Sequence, residues 1–422
     1  MTLRERVKYA LGNILLVAAS ITICYAVAEL AFFRLMLPYM SLNVLPHLPD
    51  RAAYFLQSSK SHFVPSDYIA LVGDSNAQGM GDWLFANGGD QSKPHHSANV
   101  LHDQLGVDVV SVGRAASGSA EAMVLRVTRV YDDSYCYLFP YIADPKRMLI
   151  YFYEGNDLDD NYKLLDHRVR PDGGDLRAQI DRYLNEHYAV VNGWRCHGHF
   201  GDMLFKMARY LVKYRNLASQ LPDQPVEQEV IIGNRPHGAW LLSVPSLALD
   251  EMQTEASVIV YERSLMWLRK RFRNVPMTVV YIPSPAAMYR HATDQVISHD
   301  IYLPITDPSK VGKEELIDGR VFPISAIYKK SQKICEVIRG ITLAQGVDFI
   351  DTRPTFRAAA AQRPMHGPKD WNHLNENGYR VLGSYLAKRL GAPAADACDD
   401  RWDAADAIMS AQSPASGNPE PR

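Results

Sequence analysis

Four short segments of this chain hold a nucleophile, a base and candidate hydrogen-bond donors. The first is Gly73-Asp74-Ser75-Asn76, where Ser75 follows a short apolar run at 67–73. A serine between a strand and a helix exposes its hydroxyl at the sheet edge. The helix N-terminus supplies N–H donors and a dipole that favours an oxyanion. The second is Asp370-Trp371-Asn372-His373, just before a helical pattern at 376–390. An Asp and a His three residues apart in one turn can face the same way. The carboxylate then holds the imidazole in the tautomer that accepts a serine proton, and stabilises the imidazolium that follows. The third, Glu154-Gly155-Asn156-Asp157, closes another apolar run. An Asn amide there can donate to a developing oxyanion, typically worth about 10²–10³ in rate. The fourth, Gly113 to Ser119, contains glycines that let the main chain approach a ligand, so that a backbone N–H completes the hole. Each segment alone is also ordinary turn chemistry. Their specificity is joint.

The elements that would position them alternate along the chain. Apolar runs at 67–73, 107–113, 147–153, 277–283 and 347–351 read as strands, with helical patterns between them such as 251–273 and 376–390. Strands apolar on both faces and separated by helices imply a parallel sheet covered on both sides. The fold class is α/β, doubly wound, with its site at the carboxyl ends of the strands. All four segments are predicted at that edge. Between the third and fourth strands lies an excess of about 90 residues, beyond an ordinary connection. Residues 163–250 read as an inserted cap, with helical spacing at 176–184 and 203–212. It also holds a hairpin in which 229–233 and 239–244 flank Asn234-Arg235-Pro236-His237-Gly238. Residues 37–66, broken by Pro38, Pro46, Pro49 and Pro65, read as a linker, 67–390 as the main domain and 391–422 as a disordered tail.

With these pieces in place the sequence resembles the SGNH (GDSL-like) hydrolases, whose blocks carry Ser, Gly, Asn and His. Gly73-Asp74-Ser75 resembles the first block, Gly118 the second, Asn156 the third, and Asp370 with His373 the last. The resemblance covers 67–162 and 251–390. It implies a flavodoxin-like three-layer αβα sandwich, a Ser75–His373–Asp370 triad, an oxyanion hole from Ser75, Gly118 and Asn156, and neither metal nor cofactor. Two departures stand out. Glu154 holds a position where the family has Gly, and the longer second block leaves Ala116 as an alternative donor to Gly118.

Residues 9–28 contain no charged side chain, and Arg4, Arg6 and Lys8 precede them. The run is long enough to span a bilayer and apolar all round, and the flanking charges keep the N-terminus in the cytoplasm. Residues 1–36 therefore read as a cytoplasmic tip and a signal anchor. Cleavage after Ala26-Val27-Ala28 is the competing reading. The expected location is the inner membrane, single-pass, with the catalytic domain on the periplasmic side. A net charge of -2 without basic runs argues against nucleic-acid binding.

Of the five cysteines none forms a CxxC pair, which speaks against a zinc site. Cys24, in the apolar N-terminal segment, reads as a small core residue, and a Cys136–Cys196 disulfide is one pairing open outside the cytoplasm. His95-His96 and His197-Gly198-His199 read as surface loops, Asp159 and Asp160 as solvated charges, and Tyr151 and Tyr153 as core packing. Trp371 either lines the pocket or packs under its loop. The expected function is hydrolysis of esters, as an esterase or deacetylase of an acylated cell-surface glycan. An O-acyltransferase of an exported polysaccharide and a non-catalytic glycan-binding module are the alternatives. The sequence is silent on oligomeric state.

Overall fold

The computed structural model describes residues 2–31, 54, 57–83, 96–132, 142–188, 228–239, 242, 244–298, 301–302, 316–317, 320–391 and 394–399. The first element is helix α1 (Leu3–Ala31). Its span Arg4–Ala28 has a mean hydropathy of 2.0 and buries none of its best apolar window against protein. Such a helix is long and apolar enough to cross a membrane, as an anchor or a signal sequence.

The following elements are β1 (Tyr68–Val72), α2 (Ser75–Gln78), α3 (Ser97–Leu105), β2 (Asp108–Ser111), β3 (Arg147–Tyr153) and α4 (Asp157–Leu164). Next come α5 (Leu176–His187), β4 (Gln228–Ile232), β5 (Arg235–Ala239), α6 (Pro245–Ala248), α7 (Glu251–Arg271), β6 (Met277–Ile282) and α8 (Pro285–Met288). Short strands β7 (Arg290–His291), β8 (Gln295–Ser298), β9 (Ile301–Tyr302), β10 (Leu316–Ile317) and β11 (Arg320–Pro323) precede α9 (Ile324–Ala344). The domain closes with β12 (Asp348–Asp351), α10 (Arg353–Ala360) and α11 (Glu376–Arg389).

Among the described residues the central sheet has five strands in the order β2-β1-β3-β6-β12, and every neighbouring pair is parallel. Counted as sheet strands this is 2-1-3-4-5, the flavodoxin-like order, with the switch point between β1 and β3. All five expected strands are present, and β1 is buried along its whole length. Successive side chains of β3 reach opposite layers, as the pleat requires. The Tyr151 hydroxyl donates to Ser97 Oγ on α3 at 3.1 Å. Phe152 meets Tyr261 of α7 edge-to-face, with ring centroids 5.4 Å apart. Helix α11 packs on α3, and α4 and α9 pack on α7, so the sheet is covered on both faces.

Both sheet edges are occupied. Along β2, Val109 N donates to Ser59 O at 2.8 Å, and the Gln57 amide exchanges two bonds with the Ser111 backbone. The end of the expected linker therefore satisfies edge groups that would otherwise invite pairing. Along β12, Phe349 N donates to Ala394 O at 2.7 Å and Asp396 N to Phe349 O at 3.1 Å. Residues 394–399 thus depart from the expected disordered tail. Cys398 holds them to α9 through a disulfide with Cys335, with Cα atoms 6.0 Å apart. The Cys136–Cys196 pairing lies outside the described residues, as do His95, His197, His199 and the helix expected at 203–212.

In the insertion, α5 matches the expected helix and the hairpin forms with a different register. Its turn is Gly233-Asn234, with φ of 58° and 60°, and its second strand is Arg235–Ala239. The apolar run at 239–244 placed that strand a few residues too late, because Arg235, Pro236, His237 and Gly238, which begin it, are all exposed. A second excursion, β7 to β11, was not singled out from sequence. Strand β7 adds to the hairpin as its third strand.

Candidate active site

Ser75 opens α2, one residue beyond Asp74, which caps this helix by accepting from Asn76 N at 2.9 Å. Ser75 is 2% exposed. Its hydroxyl donates to Asp74 Oδ2 at 3.1 Å, and among the described hydrogen bonds none joins Ser75 to His373. Burial pushes the Asp74 carboxyl up from the usual carboxylate range, against the opposing effect of the Asn76 N–H and of His373.

Asp370 and His373 are joined directly. His373 Nδ1 lies 2.7 Å from Asp370 Oδ2, and the Asn372 and His373 N–H groups donate to Asp370 Oδ1 at 3.0 and 3.2 Å. The carboxylate thus accepts the Nδ1–H hydrogen bond and leaves Nε2 as the acceptor. Burial alone would lower the His373 pKa. The Asp370 carboxylate and its hydrogen bond, with Asp74 and Asp82 behind them, outweigh burial and raise it. Burial likewise opposes the Asp370 charge, and the His373 partner and two N–H donors bring its pKa below the usual value.

Three tethers hold this loop and the helix after it to β3 and to the residues that follow α2. Asp82 Oδ2 accepts from Lys369 N at 2.6 Å and from Asp370 N at 2.9 Å. The Tyr153 hydroxyl, from the end of β3, donates to Asn372 O at 2.7 Å. The Tyr379 hydroxyl of α11 donates to Met80 O at 2.6 Å. Gly81, at φ 144°, allows the closest approach: any Cβ there would collide with Leu374 O and stand 3.5 Å from His373 Cβ. None of these partners was found from sequence. Tyr153 is core packing as expected, yet its hydroxyl also ties down the loop that carries Asp370 and His373. Asp82 sits in a Met80-Gly81-Asp82 turn without any distinguishing spacing.

Asn156 ends the β3 turn as the residue before α4, half-buried, with φ −137° and ψ −14°. Gly118 is buried against α4. The loop before it reaches α2 through Ala115 N, which donates to Gln78 Oε1 at 2.7 Å. A Cβ on Gly118 would stand 2.8 Å from Asn161 Oδ1 of α4. Asn161 Oδ1 also accepts from Ser119 N at 2.8 Å. Close packing on α4 therefore requires Gly at this position. Ala116, the alternative donor, is exposed and left-handed, with φ 54°.

Glu154, the departure from the family pattern, is buried and fully engaged. It accepts from the Tyr281 hydroxyl at 2.8 Å and from Ser284 N and Oγ at 2.9 Å each. It ties the ends of β3 and β6 together, and three donors offset the cost of burying its charge. Asp159 departs from the solvated reading: it is 1% exposed and paired with Lys163 at 3.0 Å. Asp160 is only partly covered in area, yet burial pushes its pKa up to about 7. Burial, then Asp74, pushes Asp157 well above the carboxylate range while it accepts from Tyr153 N at 2.9 Å. His96 is also no surface residue. It is buried beside Gly79 and Tyr379, and burial lowers its pKa to about 4. Trp371 packs under its own loop, against Tyr289 and His366.

The only triad of ligand-type side chains gathered among the described residues is Cys335, Asp351 and Cys398, whose two thiols are spent on the disulfide.

Residues 69–217 match the family model of the GDSL-like Lipase/Acylhydrolase, a stretch that holds Ser75, Gly118 and Asn156 but not Asp370 or His373. No curated protein matches the chain. Among solved structures, it is similar to an extracellular lipase from Streptomyces rimosus, with 13% identity, 76% of this chain and 99% of that one covered, and a TM-score of 0.33. It is also similar to phospholipase A1 from Streptomyces albidoflavus NA297, with 11% identity, 78% and 99% covered, and a TM-score of 0.33. Over residues 69–217 the chain is thus similar to the GDSL-like lipase/acylhydrolases, in the stretch that carries Ser75, Gly118 and Asn156.

Proposed function

We propose that this protein is a membrane-anchored serine esterase that removes acyl groups from an extracytoplasmic glycan. The observation that supports the chemistry is the 2.7 Å Asp370–His373 pair, whose loop is tied to Asp82, just beyond the helix that begins with Ser75. The Ser75 hydroxyl swings from Asp74 to His373 Nε2, gives up its proton there, and attacks the ester carbonyl. The Ser75 and Gly118 N–H groups and the Asn156 amide hold the oxyanion. His373 then returns the proton to the departing alkoxide, leaving an acyl-serine. Water, deprotonated in turn by His373, attacks the acyl-serine; the acyl–Oγ bond breaks, the acid leaves, and His373 returns the proton to Ser75 Oγ.

The anchor reading rests on α1, whose apolar run at 9–28 is unburied and follows Arg4, Arg6 and Lys8 in the first turns of the same helix. The Cys335–Cys398 disulfide supports an oxidising compartment for the domain, hence the periplasmic side of the inner membrane. An anchored enzyme on that side meets acylated carbohydrate, which motivates the substrate class.

The test is incubation of the full chain in detergent with an O-acetylated polysaccharide. Free acetate is expected to accumulate. Acetate that appears only on an added sugar acceptor would replace the esterase with an O-acyltransferase. Acetylated polymer bound but left intact would favour a glycan-binding module.

A further inference from the structure

Asn156 stands at the N-cap of α4, yet its side chain makes no capping bond. Asn is among the strongest N-cap residues, because its side-chain oxygen accepts from the N–H groups two and three residues on. Here another residue has taken those donors. Ser246, on α6 at the end of the insertion, accepts from Leu158 N at 3.1 Å and from Asp159 N at 3.2 Å through its Oγ. Its own N–H donates to Gly155 O at 3.0 Å, fixing the carbonyl just before Asn156. Ser246 has no exposed surface. Asn156 keeps ψ at −14° instead of the extended value of a capping residue, and its buried Oδ1 has no hydrogen-bond partner.

We propose that Ser246 is a positioning residue that takes over the cap of α4 and thereby releases the Asn156 amide to the reacting carbonyl oxygen. The proposal rests on the reading of Asn156 as an oxyanion donor. An Asn bound to its own helix has its amide turned toward the helix backbone and is a poor donor elsewhere. A serine supplied from outside the helix satisfies both N–H groups and removes that pull. The insertion then serves the chemistry without touching substrate, through one hydroxyl 88 residues from Leu158.

A double-mutant cycle on the full chain in detergent tests this, with 4-nitrophenyl acetate as probe and a thermal melt of each protein. Asn156→Ala alone is expected to lower kcat by about 10²–10³ and to leave Tm unchanged, because the side chain caps nothing. Ser246→Ala is expected to lower kcat at least about tenfold with KM unchanged, as Asn156 turns to the bare helix end. Adding Asn156→Ala to Ser246→Ala should then cost less than about threefold more in kcat and should lower Tm, since Asn156 has become the cap. If Asn156→Ala costs the same factor with and without Ser246, the two act independently and the proposal is overturned. A drop in Tm for Asn156→Ala alone also overturns it, and that arm stands even where Ser246→Ala does not fold. A wild-type kcat in Asn156→Ala instead overturns the oxyanion reading itself.

Discussion

His373 is where residue chemistry and pH meet. As the proposed base it must be neutral to take the Ser75 proton, so kcat/KM should rise with pH through its pKa. Asp370, Asp74 and Asp82 together outweigh burial and lift that pKa above the ordinary 6.5. The acid limb of a pH–rate profile is therefore expected to lie above 6.5. Asp370→Asn should move the limb down and lower kcat by about 10⁴. A limb that stays in place would separate the two residues. The same pair is linked to stability with opposite signs. The His373 contribution is full below its unfolded pKa and is lost as pH rises through the raised folded value. The Asp370 contribution is present above its unfolded pKa and is lost as pH falls through the depressed folded value.

At the scale of elements, β3 links the two halves of the site. Its last residue, Tyr153, donates to Asn372 O, one peptide before His373. Tyr153→Phe keeps the ring and removes this bond, leaving a carbonyl short of a donor. The expected result is a kcat lower by about tenfold with KM little changed, since a base displaced by a fraction of an ångström loses alignment before it loses binding. Unchanged kcat would reduce Tyr153 to packing. Strand β3 also shows what was readable in advance. Its apolar run, the runs of β1, β2, β6 and β12, and the segments at Ser75, Asn156 and Asp370–His373 follow from short-range pattern. Asp82, Tyr153 and Ser246 act across long sequence separations: Asp82 meets Lys369 287 residues away and Tyr153 meets Asn372 219 residues away. No local period marks such contacts. The hairpin register escaped for another reason: its second strand is exposed and carries Pro236, so it lacks the apolar alternation by which a strand is recognised. Asp159 and His96 misled because charge and polarity suggest exposure, whereas each has company in the interior.

Over the whole molecule, the fold brings chain segments from both ends of the domain to one edge of a single sheet. Ser75 follows its first strand, Asn156 its third, and the Asp370–His373 pair arrives after its last. Both outer strands are sealed, β2 by residues 57–61 and β12 by residues 394–399 with the Cys335–Cys398 disulfide, so the sheet offers its carboxyl edge rather than its sides. The most direct measurement is hydrolysis of 4-nitrophenyl acetate by the full chain in detergent, wild type against Ser75→Ala, with folding checked by thermal melt. Wild type should turn over the ester and the variant should lose at least about 10⁴-fold in kcat, as expected when a triad loses its nucleophile. Equal hydrolysis by the two folded proteins would contradict Ser75 as the nucleophile.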